Sequence, residues 1–334
     1  MAHTILISRT DSIGDVILTL PLCGRIKEKL ENVKIVFLGR EYTRPVIEQC
    51  IHVDYFLDWD TLRQATTHAA IDIIKSYDID TAILVYNEKQ VAQLLKSSNI
   101  PLRIGSSHRW YNWLYCNKRI HFTRKNSMLH ESQLNFKLTE TTLDVVAPDL
   151  KNMHLYYCWN RTIILPKIHE DLLSTNKKNI ILHPKSKGSA REWDVLNWRG
   201  LIKELFDSNY KIFISGIAQD NEWVQNNLGD MNNMYINLCG LMDLRSYMAF
   251  VQKCDALVAC STGPLHIAAA WGVHAIGIYP PLRPLHPGRW AALGEKVSIL
   301  VANNSCATCR KKKVCACINS ISATQVMAEL KKIN

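Results

Sequence analysis

The sequence has 334 residues, of which 40 are Lys or Arg and 30 are Asp or Glu, giving a formal net charge of +10. With 47% hydrophobic and 21% charged residues, the composition excludes a disordered chain, a collagen and a coiled-coil rod, and the length predicts two domains with sizeable cores. The excess of positive charge favours anionic partners such as phosphates, acidic glycolipids or nucleic acid.

The first half of the chain alternates short apolar runs with segments of helical periodicity. Thr4–Ser8 is a predicted buried strand, and residues 14–30 form a predicted helix that Pro21 kinks or divides. The later predicted strands are 33–38, 53–57 and 81–86, and the later predicted helices are 41–50, 61–76, 88–97 and 129–146. This alternation predicts βαβ units and a parallel sheet with right-handed crossovers.

The same rhythm restarts after a mixed stretch at 148–161. The predicted strands are 179–182, 210–215, 255–259 and 275–279, and the predicted helices are 195–207, 218–227, 244–253, 263–272 and 322–332. We therefore expect two α/β domains, 1–160 and 161–320, and a C-terminal helix in 321–334 that can pack back on the first domain. Ligands of such sheets bind beyond the carboxyl ends of the strands, so we expect the site between the two domains.

The N-terminal segment and the cysteines predict a cytoplasmic protein. No apolar run approaches the roughly 18–20 residues that span a bilayer, and no basic segment precedes an apolar one at the N-terminus. Seven of the 11 cysteines lie within apolar segments, which is typical of buried, reduced thiols. These seven are Cys23, Cys50, Cys116, Cys158, Cys239, Cys254 and Cys260.

The loop after the first predicted strand contains Gly14 and Asp15. Gly14 permits a tight turn, and Asp15 falls in the first turn of the next helix, where a carboxylate can act as a general base toward a hydroxyl. The alternative is that Asp15 only complements the helix dipole. The loop lacks a glycine-rich dinucleotide fingerprint, which argues against a nicotinamide enzyme.

The loop after the first strand of the second half is basic. It contains Lys185, Ser186, Lys187 and Arg191, a combination of cations and hydroxyls that suits a diphosphate. The spacing is not that of a Walker loop. The alternative interpretation is a solvated basic loop.

Two further loops in the second half are candidates for nucleotide binding. Ser261, Thr262 and Gly263 begin a predicted helix whose N–H groups can bind an anion, unless Ser261 or Thr262 simply caps that helix. Asp220 and Glu222 follow another strand, where carboxylates can reach ribose hydroxyls or belong to an ordinary turn.

Taken together, these segments resemble glycosyltransferase family 9, the bacterial ADP-heptose:lipopolysaccharide heptosyltransferases. The matching motifs are SIGDVILTLP at 12–21, HP at 183–184 with REW at 191–193, NLCG at 237–240, and STGPLHIAAA at 261–270. Their order and spacing cover nearly the whole chain, and the first and last motifs are fairly specific.

The resemblance implies an α/β, GT-B fold, with two Rossmann-like domains whose parallel sheets face a central cleft. The first domain would bind the acceptor and the second the nucleotide-sugar. The implied reaction is inverting, metal-independent transfer of a heptose from an ADP-linked donor to a lipopolysaccharide core, with no cofactor required. The implied partners are the nucleotide-sugar and an anionic glycolipid, without nucleic acid, and contact with the cytoplasmic face of the inner membrane is compatible with them.

The resemblance also implies roles for particular residues. The family's general base matches Asp15, and its basic residue on the donor phosphates matches Arg191. Its phosphate-and-sugar loop matches Thr262, Gly263 and His266.

The carboxylate that binds the nucleotide matches Asp220 or Glu222, and the alignment does not decide between them. Ser261 stands where members of known heptosyl specificity often carry Asp, and Lys185-Ser186 replaces small neutral residues. These departures leave the identity of the donor sugar open.

The segment 101–130 combines basic and aromatic residues and contains no Asp or Glu. Arg109, Arg119 and Arg124 are its candidate acceptor-binding residues. The pattern suits single-stranded nucleic acid, an acidic glycolipid at a membrane surface, or a solvated face with a few core aromatics. Its position in the acceptor half favours the glycolipid.

Four cysteines cluster near the C-terminus, at Cys306, Cys309, Cys315 and Cys317. Four thiols can bind zinc, although the short Cys-x-Cys arm suits a tetrahedral structural site poorly. Free or packed thiols and a disulfide are the alternatives.

The sequence therefore predicts a heptosyltransferase-type enzyme. A family member that uses another nucleotide-sugar, of the N-acetylhexosamine type, is the alternative within the enzyme class. A non-catalytic protein that binds an anionic ligand through 101–130 is the alternative from another class. Transfer or hydrolysis of a donor separates the enzyme from the binding protein.

Overall fold

The computed structural model describes residues 3–124, 127–159, 162–186, 188, 190–282, 285–302 and 316–333. The chain divides into two compact units, Met1–Arg161 and Thr162–Asn334, whereas the sequence placed the boundary between 160 and 161. No described helix has both the length and the apolar character needed to cross a membrane.

The first unit is built on six strands with helices between them. The strands are β1 (Thr4–Ser8), β2 (Lys34–Gly39), β3 (Tyr55–Asp58), β4 (Thr81–Leu84), β5 (Leu102–Ser106) and β6 (Lys118–Ile120). The helices are α1 (Ile13–Ile17), α2 (Leu20–Lys29), α3 (Arg44–Ile47), α4 (Trp59–Leu62), α5 (Thr67–Lys75), α6 (Lys89–Ser97), α7 (Trp110–Tyr115) and α8 (Glu131–Phe136), with 3₁₀ turns at Glu41–Thr43 and Leu150–Tyr156.

The second unit repeats this plan. Its strands are β7 (Asn179–His183), β8 (Lys211–Ile214), β9 (Ile236–Asn237), β10 (Ala256–Cys260), β11 (His274–Tyr279) and β12 (Val297–Val301). Its helices are α9 (Lys167–Glu170), α10 (Val195–Asp207), α11 (Asp220–Leu228), α12 (Leu244–Gln252), α13 (Gly263–Ala270), α14 (Pro287–Trp290), α15 (Ala316–Asn319) and α16 (Ala323–Leu330), with a 3₁₀ turn at Gly229–Met231.

Both sheets are parallel and share one topology. The strand order is β3-β2-β1-β4-β5-β6 in the first unit and β12-β11-β10-β7-β8-β9 in the second, which is the doubly wound order with helices on both faces. The central strands are buried along their whole length, as in β1 and β10, because both faces of such a sheet are covered. Strand order reverses between β1 and β4 and between β7 and β10, so ligands are expected at these two points.

The structure confirms the predicted break at Pro21 and corrects other predicted elements. The predicted helix at 14–30 is divided into α1 and α2, with Pro21 in the first turn of α2. The predicted helix at 129–146 is wrong: α8 ends at Phe136, the hydroxyl of Thr139 then donates to the Val145 carbonyl at 2.8 Å, and Asp144 has a positive φ of 53°. Short β-branched residues compete with the helical hydrogen bonds there.

Two more predicted helices are each divided into two pieces. The predicted helix at 61–76 becomes α4 and α5, because the Thr66 side chain accepts from the Ala69 N–H at 3.3 Å and begins a new helix. The segment 41–50 becomes a 3₁₀ turn followed by α3, with a proline in the first turn of α3. Strands β5, β6, β9 and β12 were not predicted.

The C-terminal helix α16 packs against α10 in the second unit. The chain that leads into it is tied to the loop after β7, because the Trp193 indole donates to the Ile321 carbonyl at 2.9 Å. Asn319 accepts from the backbone N–H of Asp194 at 3.1 Å, and Asp194 caps α10. The C-terminal segment thus supports a loop that the sequence selected as a candidate for phosphate binding.

Candidate functional site

Most of the site residues predicted from sequence lie on loops that follow strands at their carboxyl ends. Asp15 lies on α1, directly after the loop that follows β1. Lys185, Ser186 and Arg191 follow β7, and Ser261 and Thr262 follow β10. Strands β1, β7 and β10 flank the points where strand order reverses, so each unit presents candidate side chains where a doubly wound sheet binds ligands.

The Asp15 carboxylate is held from two sides. One oxygen accepts from the Arg9 guanidinium and the other from the Ser12 hydroxyl, and the side chain is 16% exposed. The Thr19 hydroxyl donates to the Asp15 carbonyl at 2.8 Å, where α1 ends. Asp15 is therefore a fixed carboxylate that solvent or a ligand can still reach.

Arg9 belongs to a buried charge cluster that the sequence analysis did not identify. Its Nη1 donates to Glu131 Oε1 at 3.2 Å, and Glu131 is only 1% exposed. Arg124 also donates to Glu131, and its Nη2 donates to the Val85 carbonyl, just after β4, at 3.1 Å. Asn135 accepts from both guanidinium groups, at 3.4 Å from Arg9 and 3.2 Å from Arg124.

Asp11 completes this charge cluster with a third carboxylate. It accepts from Arg9 Nε at 2.7 Å. Burial raises the pKa of the Asp11 carboxyl to about 6, with Asp15 raising it further and Arg9 lowering it. The three carboxylates of Asp11, Asp15 and Glu131 outnumber the guanidiniums of Arg9 and Arg124, so a proton on Asp11 would balance the cluster.

The structure separates the three arginines predicted to bind the acceptor. Arg109 is exposed at the start of α7, and Arg119 is exposed on β6. Arg124 instead forms an ion pair with Glu131 inside the charge cluster. The sequence interpretation treated Arg124 as a basic residue without an acidic neighbour in 101–130, and this is corrected because its counter-ion, Glu131, lies just beyond that segment.

Thr262 carries the most informative side chain in the second unit. It is the N-cap residue of α13 and is 6% exposed, yet its side chain caps no backbone N–H. Among the described residues, its Oγ1 has no hydrogen-bonding partner. A buried hydroxyl without a partner is costly, so Thr262 is suited to bind a ligand oxygen at this helix N-terminus.

The other residues of this loop are occupied or buried. The Ser261 side chain hydrogen-bonds Tyr279, and His266 is buried in α13. Gly263 is the first residue of α13, and Pro264 fills the next position of its first turn. The Thr262 side chain does not cap α13, so the alternative interpretation of Thr262 as a simple helix cap is wrong.

The loop after β7 is braced by Glu192. Its carboxylate accepts from Lys185 Nζ at 2.5 Å and from the Ser186 N–H at 2.8 Å. Lys185 also lies 5.0 Å from the ring centre of Trp223. Lys185 therefore has an internal counter-ion, Arg191 is partly buried on the same loop, and Lys187 lies outside the described residues.

The two candidate carboxylates of α11 differ in their surroundings. Asp220 Oδ2 accepts from the Ile217 N–H at 2.9 Å, which closes the turn before the helix. A Cβ at Gly216 would lie only 2.9 Å from that same oxygen, so this turn requires glycine there. Glu222 lies two residues further along α11 and is exposed. The sequence did not decide which of these two carboxylates binds the nucleotide. The turn gives Asp220 a structural role.

A hydrogen-bonded chain of three side chains lies at the end of β7 and β8. His183 Nδ1 is 3.0 Å from Ser215 Oγ, which is 3.1 Å from the Tyr247 hydroxyl. Burial lowers the pKa of His183 to about 4, so the imidazole is neutral at neutral pH. The sequence motif contained His183, but nothing in the pattern connected it with Tyr247.

Asp58 and Asp60 lie two residues apart where β3 meets α4, and both carboxylates have structural partners. Asp58 caps α4, accepting from the N–H groups of Asp60 and Thr61, each at 2.9 Å. Asp60 pairs with Arg40 at 2.6 Å and Arg63 at 2.8 Å. Within the described ranges, no group of three or more His, Cys, Asp or Glu residues is arranged to hold a metal ion.

Part of the predicted cysteine cluster lies outside the described residues, namely Cys306, Cys309 and Cys315, and Cys317 is buried. Of the seven cysteines expected to be buried, six are buried and Cys158 is partly exposed. Burial raises the pKa of Cys116 to about 11 and that of Cys260 to about 12, so both are protonated at neutral pH.

The predicted resemblance is confirmed by comparison with known proteins. The sequence model for glycosyltransferase family 9 (heptosyltransferase) matches residues 68–318. A Haemophilus influenzae protein described as a glycosyltransferase is 28% identical over 302 residues, covering 87% of this chain and 86% of that protein. Lipooligosaccharide heptosyltransferase 2 of Haemophilus ducreyi is 23% identical over 300 residues, covering 84% of each.

Solved structures confirm the GT-B fold class. The Escherichia coli ADP-heptose lipopolysaccharide heptosyltransferase II superposes with a TM-score of 0.79 at 18% identity, covering 99% of this chain and 98% of that one. The Escherichia coli heptosyltransferase WaaC with ADP gives 0.75 at 17% identity, covering 99% and 100%. The iron-containing dodecameric glycosyltransferase TibC gives 0.54 at 11% identity, covering 99% and 76%.

Proposed function

Because the chain belongs to glycosyltransferase family 9, we propose that it transfers a heptose from an ADP-linked donor to a lipopolysaccharide core acceptor with inversion at the anomeric carbon. Its relatives of Haemophilus ducreyi and Campylobacter jejuni are named lipooligosaccharide heptosyltransferases, which supports this donor and acceptor class. The observation that carries the proposal is Thr262, whose buried hydroxyl has no hydrogen-bonding partner among the described residues and lies at an uncapped helix N-terminus.

Asp15 is the proposed general base. It removes the proton from an acceptor hydroxyl as that oxygen attacks the anomeric carbon, and the bond to the departing diphosphate breaks on the opposite side. The contacts with Arg9 and Ser12 fix the carboxylate in one orientation, so little reorganisation is needed at the moment of proton transfer.

The loops of the second unit are proposed to hold the donor. Arg191 and the α13 N-terminus at Thr262 and Gly263 stabilise the negative charge that develops on the diphosphate. Lys185, Ser186, Ser261 and His266 are proposed to line this donor site, Lys187 is assigned to it from the sequence alone, and Asp220 or Glu222 is proposed to bind the nucleotide. Cations and N–H groups then supply the charge that a divalent ion would otherwise provide, so no cofactor is required.

Arg109 and Arg119 are proposed to attract the acidic acceptor from their exposed positions in the first unit. Arg124 acts in the same unit through the charge cluster, because Glu131 compensates its charge. The proposed place of action is the cytoplasmic face of the inner membrane, where a lipid-linked core acceptor would be presented.

A thermal-shift screen against nucleotide-sugars tests this proposal. ADP and ADP-heptose should raise the melting temperature, since a ligand that binds only the folded state stabilises it. Stabilisation by a UDP-linked N-acetylhexosamine and not by ADP-heptose would overturn the proposed donor. Ser261, in place of the family's frequent Asp, makes that comparison necessary.

A further inference from the structure

Helix α7 presents three large apolar side chains to solvent. Trp110, Trp113 and Leu114 are 64%, 61% and 55% exposed. Their spacing of three and four residues places them on one face of the helix. Asn112, on the inner side, is fully buried and donates to Asn87 Oδ1 at 2.6 Å and to the Ser106 carbonyl at 2.8 Å.

An ordinary surface helix turns an apolar face inward, as α7 does with Tyr111 and Tyr115 against the core of the first unit, and keeps its outer face polar. Helix α7 differs because its outer face is apolar as well. The two hydrogen bonds of Asn112 also anchor α7 to the end of β5, so the helix is held from its inner side. Monomeric soluble proteins rarely expose large contiguous apolar patches, and such a patch marks an interaction surface.

Positive charge surrounds this apolar face. Lys89 Nζ lies 5.2 Å from the ring centre of Trp110, and Arg119 Cζ lies 4.6 Å from that of Trp113. Arg109 and Lys118 are also exposed next to them in sequence. The acidic residue nearest to Lys89 in sequence, Glu88, accepts from Thr10 at 2.6 Å and from Trp59 at 2.9 Å, so its carboxylate is committed to the interior.

We propose that the outer face of α7, with Lys89, Arg109, Lys118 and Arg119, docks on the surface of an anionic phospholipid bilayer. Tryptophan rings favour the boundary between headgroups and acyl chains, and basic side chains there contact lipid phosphates. The Trp113 indole N–H already donates to the Ser107 carbonyl at 3.1 Å, so the ring can leave water without losing a hydrogen bond.

Charge complementarity favours a bilayer over a protein or a nucleic acid. Leu114 offers no ring for base stacking. The tryptophan side chains match the apolar acyl chains of a bilayer, and the basic side chains beside them match its anionic headgroups. This proposal rests on the proposed function only for the identity of the membrane. Docking would bring the first unit to the bilayer that carries the acceptor.

The test is flotation of the full chain with vesicles, without donor or acceptor. The protein should float with vesicles of phosphatidylethanolamine and phosphatidylglycerol and not with phosphatidylcholine alone, and phospholipids brominated on the acyl chains should quench its tryptophan fluorescence. Trp110→Ala/Trp113→Ala should lower the partition coefficient by about tenfold or more. Leu114→Glu provides a second variant with the same expected direction.

The matched control is Ile168→Ala/Leu196→Ala, which removes two side chains that are each 73% exposed in the second unit. It should float like the wild type, and Trp110→Ala/Trp113→Ala and Leu114→Glu should both keep the wild-type melting temperature. Unchanged flotation of Trp110→Ala/Trp113→Ala, or equal binding to neutral vesicles, would overturn the docking proposal. Displacement of the vesicles by a single-stranded oligonucleotide that binds the same face would do so as well.

Transfer to a deacylated acceptor separates this proposal from the proposed function. The double tryptophan variant should transfer to that soluble acceptor at the wild-type rate, because α7 carries no reacting group. If the wild type floats but never transfers heptose, docking stands and the proposed function fails. If it transfers but does not float, docking fails alone.

Discussion

Arg9 and Glu131, 122 residues apart in sequence, form a buried ion pair in which Arg9 Nη1 donates to Glu131 Oε1 at 3.2 Å. The same guanidinium donates to Asp15, so a carboxylate on α8 fixes the group that holds the proposed base. Asn135, one turn further along α8, donates to the Leu18 carbonyl at 3.2 Å and to Thr19 Oγ1 at 3.1 Å. Helix α8 therefore supports both the base and the break between α1 and α2.

Replacing Glu131 tests this support. Glu131→Gln should destabilise the protein by about 3–5 kcal/mol, because it removes the carboxylate shared by two guanidiniums in a buried site. Thermal or urea unfolding measures the loss. The control is Glu140→Gln, which breaks a partly exposed pair with Lys137 and should cost less than about 1 kcal/mol. Equal losses in the two variants would show that the Glu131 pair has no special role.

Asp15→Asn should lower the turnover number by about 10²–10⁴-fold, the usual contribution of a general base. Donor affinity should stay within a few-fold, because the loops proposed to hold the donor belong to the second unit. Steady-state kinetics and calorimetry separate the two effects. A variant that keeps more than about a tenth of wild-type turnover would remove Asp15 from the role of base.

Asp11 makes stability depend on pH in a defined direction. Its folded-state pKa of about 6 lies above the ordinary value of 3.8, so between these values the folded state binds more protons than the unfolded state. Stability therefore falls as pH rises through this window, and the ionised carboxylate costs stability at neutral pH.

Asp11→Asn should raise the melting temperature at neutral pH, since the amide keeps the acceptor for Arg9 without the charge. The advantage should shrink at about pH 4, where Asp11 of the wild type is largely protonated. Melting curves across this range give the comparison. A gain that is the same at both pH values, or a loss at neutral pH, would contradict the raised pKa.

Thr262→Val separates a binding role from a structural one. Valine has nearly the same shape and removes a buried hydroxyl that has no described partner, so the melting temperature should be unchanged or higher. Affinity for ADP should fall by about ten- to hundredfold, which corresponds to the roughly 1.5–3 kcal/mol of one hydrogen bond to a charged group. Thr262→Ser should retain most of the affinity. Weaker folding with unchanged ADP affinity would identify the hydroxyl as structural.

The sequence was informative wherever a local pattern determines the structure. Helix α10 was predicted with its observed bounds, because its apolar periodicity is strong and Asp194 caps it. The loops carrying Asp15 and Thr262 were located for the same reason, since strands and helices alternate clearly on either side of them. Strands β5 and β6, by contrast, lie where polar and aromatic residues obscure the alternation.

The supporting residues could not be predicted, because tertiary contacts bring them together. Glu131 and Asn135 are four residues apart on a short helix, a spacing that signals only a shared face. Their partner Arg9 is far away in sequence, and Arg124 looked like one more surface cation until Glu131 was located beside it. Likewise, no local pattern could connect Lys185 with the carboxylate that neutralises it.

Acceptor-dependent transfer in the presence of EDTA tests the central claim most directly. With ADP-heptose and a lipopolysaccharide core acceptor, the protein should release ADP and form one new glycosidic bond of inverted configuration, at the same rate with or without the chelator. Elemental analysis for zinc and iron would report separately on the cysteines at 306–317. Activity lost in EDTA and restored by magnesium or manganese, or transfer only from another nucleotide-sugar, would contradict the account.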